Sequence, residues 1–333
     1  MSVVVCARNE SEALRRNLPA LLAQEGVDYE VVVADDASTD DTAAVLEALG
    51  AQHRHLRVAR IAVKNRSGKK QALAAAVAAA QGDVLLLTDA DCRPSSPRWA
   101  AIMTRALCAR PALSLALGAA PFFRKKGQWL NAWARFENCS VAARYLLLAR
   151  MGLPYMGVGR NMAWRKKDWL AAFERAAALP IDAGDDDLCV QQIANTAGVV
   201  VAFSPDALAY SSAPTTWRSW FLQKKRHLSA SHFYTKKIRL LLGALALTRM
   251  CGPLLALAAC MGFVTAMLAG ALYMIYVAVL IALQGRLFAR MGSGDLLWRY
   301  PVFDLVMAAY YAVFVPAALW KRTWEGEWRW SAP

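Results

Sequence analysis

The chain is 333 residues long, 57% hydrophobic, with a formal charge of +14 and a positive mean hydropathy, more apolar than a soluble domain of one or two ordinary folds, so part of it is expected in a membrane. Its basic residues gather beside apolar stretches (Lys224, Lys225, Arg226, Lys236, Lys237, Arg239), which favours an anionic membrane surface over nucleic acid as partner. Seven cysteines with no CxxC and no paired spacing argue against a disulfide framework and suggest no zinc site.

From Ser2 to Ala120 short apolar runs alternate with helical patterns: Val3 to Ala7 then Glu10 to Gln24, Glu30 to Ala34 then Asp41 to Leu49, Val58 to Val63 then Lys69 to Ala80, and Val84 to Leu87 then Arg98 to Ala109. Four such units predict an α/β fold with a doubly wound, Rossmann-like parallel sheet. The opening Ser2-Val-Val-Val-Cys-Ala7 reads as its first strand and not as a signal peptide. Leu113 to Tyr210 is mixed, with a long helical pattern from Gln128 to Arg150 and a glycine turn at Gly157-Val-Gly159. Thr216 to Thr235 interleaves Trp217, Trp220, Phe221 and Leu228 with Lys224, Lys225 and Arg226, the make-up of a helix lying in a membrane interface. Leu240 to Leu283 carries Arg249 as its only charge, long enough for two spans at about 20 residues each. Pro301 to Trp320 is a third candidate span, interrupted by Asp304 and Pro316. The predicted organisation is a catalytic domain over 1–213 (halves 1–120 and 121–213), an interface helix over 214–237 and a membrane region over 238–333.

In a doubly wound sheet ligands bind outside the carboxyl ends of the strands. That rule places Arg8-Asn9-Glu10, Asp35-Asp36 and Asp89-Ala-Asp91 along one edge. Two carboxylates behind a buried strand suit a hard cation, Mg²⁺ or Mn²⁺, whose other positions go to water and phosphate. Asp40 and Asp41 stand where a helix start wants acceptors and fit simple capping. Gly68-Lys69-Lys70 opens a helix whose free N–H groups and two ammonium groups suit a diphosphate, although Val63 and Gln71 break the P-loop pattern. Gly157-Val-Gly159 lacks the third glycine of a dinucleotide fingerprint, which disfavours a nicotinamide enzyme. Asp185-Asp186-Asp187 begins another helical pattern. Capping uses one or two of these carboxylates, leaving a candidate general base. Gln223-Lys-Lys-Arg226-His227 offers an amide, a fixed cation and an imidazole, or else a plain basic membrane anchor.

Taken in order, Val3 to Glu10, Asp35 to Asp40, Gly68 to Leu73, Asp89-Ala-Asp91, Gly159-Arg-Asn161-Met-Ala, Gly184-Asp-Asp-Asp-Leu188 and Gln223 to His227 resemble the motifs of membrane-associated family 2 glycosyltransferases of the GT-A fold. The resemblance covers about residues 1 to 235 and continues into the trailing apolar segments. It implies an inverting hexosyltransferase at the cytoplasmic membrane face, multi-pass, with its catalytic domain in the cytoplasm. A nucleoside diphosphate sugar, UDP-linked before GDP-linked, would be the donor, and a hydroxyl on a lipid or growing polysaccharide the acceptor. By the same resemblance Asp35 and Asp36 hold the base and ribose beside Ala7, Arg8 and Glu10. Lys69 and Asp89 face the diphosphate, and Asp89 with Asp91 the metal. Asp186, or Asp185 if the motif is anchored one residue earlier, is the base, while Asn161, Gln223, Arg226 and His227 line the acceptor and diphosphate side. His227 replaces the family's usual tryptophan, so chain extension is not implied. The competing readings are a nucleotidyltransferase and a nucleotide-sugar-binding membrane scaffold.

Overall fold

The computed structural model describes residues 1–64, 69–181, 184–193, 198–258 and 263–314. The described residues divide into two compact units: the first takes those of 1–123 and 144–212, the second those of 124–143 and 213–314.

In the first unit the apolar runs become parallel strands. These are β1 (Ser2–Ala7), β2 (Glu30–Asp36), β3 (Leu56–Ile61) and β4 (Val84–Asp89), joined by helices α1 (Ser11–Leu22), α2 (Thr42–Gln52) and α3 (Lys70–Ala79). After a two-residue β5 (Arg93–Pro94) come α4 (Trp99–Cys108) and β6 (Leu113–Leu117), and α5 (Trp129–Arg150) then runs through both units. The unit closes with β7 (Met162–Arg165), α6 (Lys166–Ala177), α7 (Asp185–Ile193), β8 (Gly198–Val201) and β9 (Ala209–Tyr210). Seven strands form one sheet in the order β3-β2-β1-β4-β7-β6-β8, and β5 pairs with β9. The middles of its central strands β1, β2 and β4 are apolar and buried because both faces are covered there. Val3, Val5, Val31, Val33 and Leu86 pack with Leu14, Leu18, Trp99 and Met103 in one cluster, and Val4 and Val32 are equally buried.

The mostly parallel sheet agrees with the predicted class. The difference lies at β7, which runs antiparallel between β4 and β6. Met162 pairs with Leu87, so β7 begins where β4 ends, and the Gly157-to-Asn161 turn enters the sheet at its carboxyl edge.

The second unit is helical. It contains the first part of α5, then α8 (Trp217–Ala230), α9 (Lys236–Ala258), α10 (Phe263–Arg290) and α11 (Tyr300–Ala309). A capping box between Thr216 and Ser219 starts α8; each side chain meets the other residue's backbone N–H, satisfying two donors a helix start leaves open. Two spans were expected between Leu240 and Leu283. Among the described residues one helix, Ala266–Arg290, is long and apolar enough to cross a membrane, and it is almost entirely unburied. The third expected span is helical through residue 314, and its residues 315–320 lie outside the described ones. Arg249, the lone charge of the apolar stretch, donates to Asp304 Oδ1 from Nε at 3.1 Å and from Nη2 at 2.9 Å, with Asp304 fully buried.

Candidate active site

The parallel register aligns the strand ends, pairing Ala7 with Asp35 and Cys6 with Asp89. Beyond β1 and β2 the connecting loops bind each other. Asn9 N donates to Ser38 Oγ at 3.0 Å, Glu10 N to Thr42 Oγ1 at 3.0 Å and Ser11 N to Asp40 Oδ2 at 3.2 Å, while Asn9 Oδ1 accepts from Thr39 N at 2.8 Å. Asn9 and Ala37 hold positive φ of 55° and 52°, a conformation costly for a residue with a Cβ; it is kept here by these cross-loop bonds. Asp40 accepts from both Ser11 and Thr42, as its capping reading predicts. Asp41 makes no capping bond and faces Arg15 across 3.8 Å in solvent, a pair of little energetic weight.

Around the end of β4, Lys69, Thr88, Asp89, Gly159, Met162, Trp169, Asp186 and Cys189 are among the residues lining one cavity. Lys69 Nζ stands 3.5 Å from Asp89 Oδ1. Gly159 N donates to Asp186 Oδ2 at 2.8 Å, and Asp187 N to Asp186 Oδ1 at 3.2 Å, so both oxygens of Asp186 are oriented by main chain. A Cβ on Gly159 would stand 3.1 Å from both Asp186 Oδ2 and Lys69 Nζ. The glycine therefore lets a base-type carboxylate, an ammonium group and the strand-end carboxylate share one small space. Gly184 turns the chain into α7 with φ +76°, a backbone that favours glycine.

The electrostatics converge on the same edge. Burial, then Asp91 and Asp89, push the Glu10 carboxyl up to about 7. Burial and then Asp89 raise Asp91, with Arg160 opposing. Crowded carboxylates favour the protonated form unless a cation joins them. Among the described residues no group of three His, Cys, Asp or Glu could hold a metal ion alone. Asp89 and Asp91 fit Mg²⁺ or Mn²⁺ in the mode where water and diphosphate oxygens complete the shell.

The remaining predicted residues range from fully buried to exposed. Asp36 is fully buried and ion-paired with Lys64, and Asp35, 7% exposed, accepts from Ser38 N at 3.1 Å. Ala7 is fully buried, so only its backbone can meet a ligand, while Arg8 is half-buried just past the strand. Of the two lysines expected to meet a diphosphate, Lys70 is buried and donates to Ile181 O at 2.5 Å; Gly68 lies outside the described residues. Asn161, expected on the acceptor side, is instead fully buried. Its Nδ2 donates to Ala119 O and Ala207 O at 2.8 Å each, and Trp99 Nε1 donates to its Oδ1 at 3.0 Å. Both amide protons are thereby used inside the fold. The backbone of Asp185 opens α7, and its side chain lies outside what the structure describes. Gln223, Arg226 and His227 lie on α8 in the second unit. There Gln223 Oε1 is buried with no hydrogen-bond partner among the described residues, Arg226 is half-buried and His227 exposed. Lys224 is no lipid anchor: it is buried against Glu137 at 2.5 Å. Sequence reasoning missed Thr88, Trp169 and Cys189 in the cavity lining, and only the strand-end position of Thr88 could have pointed to it.

A mostly parallel sheet with an antiparallel insertion and acidic strand ends defines a GT-A type glycosyltransferase fold. A mannosyltransferase from Pyrobaculum calidifontis, solved with GDP-Man and Mn²⁺, has this fold at TM-score 0.58 and 20% identity, covering 97% of this chain and 87% of that one. The chain belongs to glycosyl transferase family 2: the model of Glycosyl transferase family group 2 matches residues 97–289 and that of Glycosyl transferase family 2 matches residues 2–163. Among curated relatives, a beta-monoglucosyldiacylglycerol synthase of Nostoc sp. is 34% identical over 99 residues, 29% of this chain and 21% of the relative. The succinoglycan biosynthesis protein ExoO of Rhizobium meliloti is 37% identical over 91 residues, 27% of this chain and 25% of the relative. The probable glycosyltransferase YdaM of Bacillus subtilis is 23% identical over 251 residues, 71% of this chain and 56% of the relative. The matched stretches thus span a quarter or less of the first two relatives' length.

Proposed function

We propose that the protein is an inverting, metal-dependent hexosyltransferase that moves a sugar from a nucleoside diphosphate donor to a hydroxyl on a membrane lipid or envelope polysaccharide. The observation that carries this reading is the shared space at Gly159, where the oriented carboxylate of Asp186 stands beside Lys69 and the end of β4. In this reading Asp186 accepts the proton of the acceptor hydroxyl as its oxygen attacks the anomeric carbon from the face opposite the diphosphate, which inverts that centre. Asp185 is the alternative base on the same helix start. Lys69 balances charge on the departing diphosphate. Asp89 and Asp91 would hold Mg²⁺ or Mn²⁺, which when bound offsets that same charge. Asp35 and the backbone of Ala7, with Arg8 and Glu10, take the nucleoside end, UDP before GDP; Asp36 acts from behind through its pairing with Lys64. Gln223, Arg226 and His227 serve the acceptor and diphosphate side, with the buried, unpartnered Oε1 of Gln223 as support.

We place the enzyme in the cytoplasmic membrane as a multi-pass protein with the first unit in the cytoplasm. The span-length α10 supports this, as does the lipid named as product in the Nostoc relative. The test is release of nucleoside diphosphate by the full chain in phosphatidylglycerol vesicles, screening UDP-glucose, UDP-galactose and GDP-mannose with Mn²⁺ or Mg²⁺, with and without dioleoylglycerol. Metal-dependent release that rises with the diacylglycerol supports a lipid hydroxyl acceptor. Pyrophosphate release would instead identify a nucleotidyltransferase.

A further inference from the structure

The second unit holds a two-point contact between α5 and α8. Trp133 on α5 meets Trp220 on α8 edge to face at 6.0 Å between ring centroids. Four residues further along each helix, Glu137 Oε2 meets Lys224 Nζ at 2.5 Å, with side chains 5% and 11% exposed. Residues four apart lie on one helix face, so both contacts come from one stripe of α5 and one stripe of α8, in the same sense along both. One contact alone would leave α8 free to roll about its axis; two contacts a turn apart remove that freedom. Gln223, Arg226 and His227 are spaced i, i+3, i+4 on α8 and share a side that adjoins this stripe, with His227 three residues beyond Lys224.

We infer that Glu137, acting through Lys224, is a positioning residue: it sets the roll of α8 and thereby the direction in which Gln223, Arg226 and His227 present their polar groups. This rests on the reading of those three as acceptor-side residues. A lysine held dry beside a carboxylate is a different device from a lysine facing lipid headgroups. The ammonium–carboxylate pair is non-directional enough to tolerate exchange of its partners, whereas Trp133–Trp220 supplies shape. The family-level motif names residues 223, 226 and 227; nothing in it names a carboxylate 87 positions before Lys224.

The experiment compares Glu137→Gln, Lys224→Met and the charge-exchanged double variant Glu137→Lys/Lys224→Glu in the full chain, in phosphatidylglycerol vesicles carrying dioleoylglycerol, using the sugar nucleotide that the wild type turns over. Each single variant should lower kcat/KM for transfer about tenfold or more, and the double variant should recover most of the loss. Lys224→Arg, which keeps the charge, should stay within a few-fold of wild type. Arg226→Ala is the control for the underlying reading. If Arg226→Ala lowers transfer but the Glu137 and Lys224 single variants do not, the positioning role is wrong. If Arg226→Ala transfers normally, the α8 reading fails and the positioning role falls with it. Should a single variant fail to fold, recovery in the double variant and retention in Lys224→Arg decide, and loss in both overturns the inference.

Discussion

The two units use charge in opposite ways. In the first, the interior of the sheet is apolar and carboxylates collect at its carboxyl edge, where burial and the neighbouring acidic groups raise the proton affinity of Glu10 and Asp91. In the second, charges are taken inside and paired between helices: Glu137 with Lys224, Arg135 with Asp295, and Arg249 with Asp304. Arg135 is 2% exposed and donates to both oxygens of Asp295, at 2.6 and 3.1 Å. The first arrangement leaves like charges unbalanced at an edge, which suits a site waiting for a cation. The second pairs Glu137, Asp295 and Asp304 each with a cation that is itself largely buried, which suits a scaffold whose helices must keep their register in apolar surroundings, where an unpaired charge is costly.

That contrast predicts which changes damage folding and which damage chemistry. The largest stability effect belongs to Asp304→Asn, which strips Arg249 of its carboxylate and should destabilise the protein by about 3–5 kcal/mol, read as thermal unfolding in detergent with nucleotide affinity unchanged in the folded fraction. Asp89→Ala and Asp91→Ala should do the reverse, leaving the unfolding midpoint close to wild type and lowering metal-dependent transfer by about 10²- to 10³-fold. Asn161→Ala tests whether an acidic-edge motif can contain a purely structural member. It removes two carbonyl partners and the acceptor of Trp99 Nε1, and should cost about 2–3 kcal/mol of stability, with kcat of the folded enzyme close to wild type.

The smallest effect is a pH slope. Because the Glu10 carboxyl is pushed up to about 7, the folded, metal-free protein keeps a proton that the unfolded chain has lost between about pH 4.5 and 7. Stability in chelator therefore falls as pH rises through that window. Glu10→Gln should flatten the slope, which thermal melts across pH 4.5 to 7.5 will show.

The first unit is more legible in sequence than the second, for physical reasons. Val3 to Val5, Val31 to Val33 and Leu85 to Leu87 read as strands because strands buried on both faces need unbroken apolar runs. Their ends point to the site because such sheets bind ligands there. β7 is hidden: Met-Ala-Trp-Arg has no strand signature of its own, and its antiparallel place follows from the partners β4 and β6 on either side. Asp35 and Asp36 stand out as an acidic pair, yet the lysine that pairs with Asp36 is 28 residues away and comes from the loop after β3. Asn161 sits in a recognisable motif, but only the carbonyls of Ala119 and Ala207 reveal that it braces the fold. Lys224 belongs to a basic run and reads as a membrane contact until Glu137 appears opposite it.

The most direct measurement is Asp186→Asn against wild type in the full chain, with nucleotide affinity and sugar transfer read on the same preparations. The substitution keeps shape and an acceptor oxygen for Gly159 N while removing the base. The account predicts unchanged nucleotide affinity and transfer reduced by about 10²- to 10⁴-fold. Transfer within a few-fold of wild type would contradict the assignment of Asp186 as the base and, with it, the place of the Gly159 cavity in the reaction.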